Sequence, residues 1–178
     1  MGDLYKLMTW ITNDTWIIAD THFYHDRLTR PDYESRPQHH TELMILNWQT
    51  LVQPDDDILH LGDVLVGGKE RREALSYRLT GYKYLILGNH DLKSRNPLRN
   101  EMNFAVLPDI VQDYIDGIHI VFTHRPYEFI ELHQINIHGH IHSKKPPSFY
   151  TDRHINVSVE VMNYSPKKLG DILEETIK

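Results

Sequence analysis

Five short segments put aspartate, asparagine and histidine beside glycine or threonine. They are Asp20-Thr21-His22, Gly62-Asp63, Gly88-Asn89-His90-Asp91, Thr123-His124 and His138-Gly139-His140-Ile141-His142. Carboxylates, amide oxygens and imidazoles are the oxygen and nitrogen ligands of divalent cations. His140 and His142 stand two apart, so extended backbone turns both to one face. Taken singly, each segment has a plainer reading: turns at Asp20, Asp63 and Asn89, a surface histidine at His22, a core histidine at His124. Taken together they are polar groups whose gathering in one place is costly unless compensated. A metal centre supplies that compensation. Each segment also ends a β-rich run, where α/β sheets gather ligands on a rigid base.

Other chemistries are closed off by composition. The 178 residues include 13 histidines and no cysteine. The chain therefore has no disulfide, thiolate zinc site, iron–sulfur cluster or cysteine nucleophile. A formal charge of −6 argues against coating nucleic acid non-specifically. Gly67-Gly68-Lys69-Glu70 is not a phosphate-binding loop, because neither the spaced first glycine nor the final hydroxyl is there.

The elements that must position these segments follow from periodicity. Leu4–Trp10 and Thr15–Asp20 are predicted to form an N-terminal hairpin. Residues 21–37 read as a loop. A helix is predicted from Glu42 to Val52, and a charged one over Lys69–Leu79. Short strands are predicted at Ile58–Leu61 and Tyr84–Leu87. Ile110–Ile115 and Ile118–Phe122 flank Asp116-Gly117, a hairpin signal. Ile135–Ile137 and the alternating His154–Val161 complete the strands. A last helix is predicted to start at Ser165-Pro166, with stripe Leu169, Ile172, Leu173 and Ile177. At 40% hydrophobic and 25% charged residues, the pattern is a layered α/β fold of two packed sheets with helices outside, in a single domain spanning residues 1–178.

In order and spacing the five segments resemble the calcineurin-like metallophosphoesterases. The match runs over residues 20–142. The resemblance implies a four-layer α/β/β/α sandwich of two mixed β-sheets. It implies that Asp20, His22, Asp63 and His142 bind a first divalent metal ion, and that Asp63, Asn89, His124 and His140 bind a second. Asp63 would bridge them. A water shared by two such ions loses a proton near neutrality and attacks phosphorus without a protein nucleophile, in keeping with the absent cysteine. His90 would contact the phosphate or protonate the leaving oxygen, and Asp91 would orient His90. Manganese is the leading cofactor; iron, zinc, nickel and cobalt also suit the donors.

The implied activity is hydrolysis of a small phosphate ester, in the first place a diester, possible nucleotides included. Alternatives are a phosphomonoesterase, a nuclease and an inactive scaffold of the same fold. The chain lacks a broad basic face for a nucleic-acid strand. His25, Arg125, Lys144 and Lys145 are candidate substrate contacts with equally plain surface readings, and His60 is either behind the ligands or a core histidine. No apolar run approaches the ~18 residues of a membrane span. Met1-Gly2-Asp3 lacks the basic start of a signal peptide, and Lys6 breaks the myristoylation pattern. The expectation is a cytoplasmic protein with no membrane partner; oligomeric state is open.

Overall fold

The structure, a computed structural model, describes residues 10–176. The first sheet holds β1 (Trp16–Ile18), β2 (Asp57–His60), β3 (Tyr82–Leu85), β4 (Ala105–Val106) and β9 (Lys167–Lys168), in the order β4-β3-β2-β1-β9. β1 to β4 run parallel, and β9 is antiparallel to β1. The second sheet has the order β5-β6-β7-β8, from β5 (Ile110–Ile115), β6 (Ile118–Thr123), β7 (Gln134–His138) and β8 (His154–Asn156). β5 and β6 form the predicted antiparallel hairpin, while β6, β7 and β8 run parallel. Both sheets are mixed, and four helices flank them: α1 (His40–Leu51), α2 (Lys69–Ser76), α3 (Arg95–Met102) and α4 (Leu169–Thr176).

Parallel strands covered on both faces must be apolar on both faces. β1 and β2 obey this. Ile17 and Leu59 point between the sheets, with Ile120, Phe122, Ile137 and Ile155 opposite. Ile18 and Ile58 point the other way, into Met44, Ile45 and Trp48 of α1 and Leu75 and Leu98 of α2 and α3. Trp48 is fully buried and donates its indole N–H to Thr80 O at 3.0 Å. The stripe of α4 (Leu169, Ile172 and Leu173) closes the core between the sheets.

Several expectations need correction. Residues 4–9 of the predicted N-terminal hairpin lie outside the described residues. The other arm, β1, has both edges taken, by β2 and by β9. The predicted strand 154–161 stops at Asn156, because Val157 faces the core between the sheets and Val159 the helix side. Asn156 Oδ1 accepts the Ser158 N–H and turns the chain there. The last helix begins at Leu169, not Ser165, since Lys167 and Lys168 are drawn into pairing with β1. α3 had not been predicted. No helix among the described residues is long and apolar enough to cross a membrane.

Candidate metal centre

The five polar segments converge beyond the carboxyl ends of β1, β2, β3, β6 and β7. Main-chain hydrogen bonds tie their loops together. Asp20 N–H donates to Gly62 O and His22 N–H to Asp63 O, both at 2.9 Å. Gly139 N–H donates to His124 O at 2.9 Å. Asp20 Oδ2 joins the two sheets by accepting the His140 N–H at 2.8 Å and the Ser158 hydroxyl at 2.9 Å.

The backbone here is strained. Asp20 (φ 57°), His22 (42°), Asp63 (59°), His140 (73°) and His142 (51°) all sit in the left-handed region. Outside glycine that region costs roughly 1–3 kcal/mol per residue. The motif glycines serve differently, by giving room. A Cβ on Gly88 would run into the Asp63 carboxylate, and one on Gly139 into that of Asp20.

Two compact groups of ligand atoms result: Asp20, His22 and His142, and Asp63, His124 and His140, each within 4.8 Å internally. Asp63 Oδ2 lies between them, 3.4 Å from His22 Nε2 and 3.6 Å from His124 Nε2. Asn89 Oδ1 is 3.1 Å from His124 Nε2. His142 Nε2 is 4.0 Å from Asp20 Oδ1.

These residues fit divalent cations. Asp20 Oδ1 is buried with no hydrogen-bond partner, and burial pushes the Asp20 carboxyl up to about 7. A buried, unpartnered carboxylate oxygen is costly until a cation meets it. Burial drives His22 well below the usual imidazole range, lowers His124, and takes His140 to about 4. They are thus the neutral, ligating form. His124 donates Nδ1–H to Leu61 O at 2.7 Å, leaving the Nε2 lone pair directed inwards. At His142 burial opposes charge, but the hydrogen bond and charge of Glu160 outweigh it and raise the pKa.

A cleft of about 130 Å³ opens over this centre, lined by His22, His25, Asp63, Asn89, His90 and His140 among others. His90 stands at its exposed rim, its ring edge-on to His22 with centroids 5.1 Å apart. A groove of about 340 Å³ has Asn89 in common with the cleft, takes in His124, and runs away along Leu87, Leu92, Ile110 and Tyr127. Arg125 lines the groove, its Nη2 3.4 Å from Asn89 Oδ1.

Asp91 was expected to orient His90. Its buried carboxylate instead accepts the backbone N–H groups of Asp63, Val64 and Gly88. Burial, opposed by those bonds, raises its pKa to about 6. His60 is fully buried behind the ligands, its Nε2 2.9 Å from Thr21 Oγ1. His25 lines the cleft; Lys144 does too, paired with Glu34 at 2.7 Å. Lys145 is exposed and is not part of the lining.

Three neighbours of the centre escaped sequence reasoning: Arg36, Ser158 and Glu160. Arg36 sat in a segment read as loop. Ser158 and Glu160 alternate with Val157, Val159 and Val161, so they passed for the outward face of a strand.

Known proteins share this pattern. The sequence profile described as calcineurin-like phosphoesterase matches residues 14–168. The uncharacterized protein MJ1445 of Methanocaldococcus jannaschii is 31% identical over 172 residues, covering 89% of each chain. The crystal structure of AQ665 from Aquifex aeolicus, described as a protein of unknown function, superposes with a TM-score of 0.74 at 24% identity. It covers 90% of this chain and 98% of its own. A looser match, TM-score 0.45 at 18% identity over 81% of each chain, is an archaeal phosphodiesterase. With the profile spanning all five strand-end segments, the chain belongs to the calcineurin-like phosphoesterases, the metal-dependent hydrolases of phosphate esters.

Proposed function

We propose that this protein is a phosphodiesterase working with two divalent cations. The observation that carries the reading is the pair of ligand groups with Asp63 Oδ2 between them. Asp20, His22, Asp63 and His142 would hold the first cation, and Asp63, Asn89, His124 and His140 the second. When bound, such a pair acidifies a water and offsets the charge of the phosphoryl group. Mn²⁺ is the first choice for this sulfur-free set, with iron, zinc, nickel and cobalt behind it.

The chain's own residues supply the rest. His90, at the rim of the cleft, would protonate the leaving oxygen. The Arg125 guanidinium would take a non-bridging phosphate oxygen. The groove beyond Asn89 has space for a second ester arm, which a monoester lacks. The substrate is a small phosphate diester, met by one domain that spans the chain.

Chelation tests this directly. Metal-stripped protein should lose hydrolysis of bis(p-nitrophenyl) phosphate and regain it with added Mn²⁺. Unchanged turnover after stripping would refute the reading.

A further inference from the structure

A buried chain of three side chains stands behind the first ligand group. Glu160 Oε1 lies 2.8 Å from His142 Nδ1. The same oxygen lies 2.8 Å from Arg36 Nε and 2.6 Å from Arg36 Nη2. The Arg36 side chain is fully buried and that of Glu160 is 5% exposed. Arg36 also donates Nη1–H to Thr21 O and Nη2–H to Asp20 O, both at 2.7 Å. One guanidinium therefore holds the main chain of the Asp20–His22 segment and, through Glu160, the ring of His142. Glu160 Oε2 is buried without a hydrogen-bond partner, so the contacts of Oε1 with Arg36 and His142 hold this carboxylate in place.

Glu34, His142 and Glu160 come close enough to suggest another cation position. The local charges decide against it. Arg36 neutralises Glu160, and the Lys144 ammonium, 2.7 Å from Glu34, neutralises the other carboxylate.

We propose that Glu160 and Arg36 are positioning residues for the first cation, an inference that rests on the two-cation reading above. A carboxylate can only accept, so Glu160 accepts a hydrogen bond from His142 Nδ1–H, which keeps the proton on Nδ1 and leaves the Nε2 lone pair facing Asp20 and His22. Arg36 fixes Glu160 and at the same time restrains the left-handed Asp20–His22 backbone. The two halves of the first ligand group, 120 residues apart in the chain, are thereby set by one buried cation of the protein itself.

Two measurements test this. Calorimetric titration of the metal-free protein with Mn²⁺ should show two ions bound. In Glu160→Gln one of them should weaken by about 10- to 100-fold while the other keeps its affinity. Glu160→Asp, which keeps the charge but shortens the reach, should fall between. Both sites unchanged, or both weakened equally, would overturn the proposal. The second measurement is ¹⁵N NMR of the His142 ring in metal-free wild type at alkaline pH, where the imidazole is neutral. A proton on Nδ1 is expected; a proton on Nε2 overturns the role of Glu160, and this readout stands even where Glu160→Gln does not fold. Wild type that binds no Mn²⁺ would sink the two-cation reading itself, while the ring proton still reports whether Glu160 orients His142.

Discussion

Asp63 and Asp91 clasp each other's loops. Asp91 Oδ2 accepts the Asp63 N–H at 2.6 Å from 28 residues away, and Asp63 Oδ1 accepts the N–H of His90, the neighbour of Asp91, at 2.8 Å. Asp91 also takes Gly88 N–H on Oδ2 and Val64 N–H on Oδ1. Both carboxylate oxygens are therefore engaged. Asp91→Asn must turn an amide nitrogen towards a backbone N–H. It should destabilise the fold by about 1–3 kcal/mol, the cost of leaving a buried donor unmet. Urea denaturation measures this; unaltered stability would show that the clasp contributes nothing.

Asp63→Asn separates charge from shape. Asparagine tolerates the left-handed φ of 59° at this position, so the fold should persist by circular dichroism. If this carboxylate bridges two cations as proposed, its loss should lower hydrolysis of bis(p-nitrophenyl) phosphate by about 100-fold or more, the scale of several kcal/mol of cation-derived stabilisation. Retained activity would remove Asp63 from the bridging position.

His90→Ala should leave cation binding intact and slow diesters with poor leaving groups by about 10²- to 10⁴-fold. p-Nitrophenolate leaves readily without a proton, so its esters should suffer less. A parallel loss of bound Mn²⁺ would instead make His90 a ligand.

His60 predicts an acid limb in the stability of the metal-free protein. Burial, with His124 nearby, lowers its pKa from 6.5 to about 3. Above the unfolded value both states are neutral and the contribution is full. As pH falls from 6.5 towards 3 the unfolded chain takes up a proton that the folded one refuses, and stability is lost. The slope from one such group reaches about 1.4 kcal/mol per pH unit. Denaturation of wild type and His60→Leu across this range should show a shallower slope for the variant; equal slopes would mean that His60 takes up its proton without unfolding.

The strand-end motifs were legible because each follows a run of β-branched and aliphatic residues short enough to be one strand. Two sheets and most helices followed from the same periodicity. What was missed depends on distant partners. Ser165-Pro166 looks like a helix start, yet pairing of Trp16 with Lys168 claims the next two residues for a strand. α3 opens Arg95-Asn96-Pro97 and has only Leu98 and Met102 buried, too sparse a stripe to register. Pro97 is harmless there because first-turn N–H groups need no helical partner. Arg36 and Glu160 stand 124 residues apart, and no local pattern marks an arginine that will be buried. Asp91 sits in a recognisable motif, but only the folded loops show that its carboxylate grips main chain.

The five left-handed residues of the centre set the protein's folding and its chemistry at odds. Glycine at any of them would relax the backbone, while Asp20, Asp63 and three histidines keep it tense. An inert scaffold of this shape would gain stability by shedding those side chains one at a time. Stabilising substitutions should therefore be easiest to find at the positions where hydrolysis can least tolerate them, and a screen for heat resistance alone would steer this chain away from metal binding.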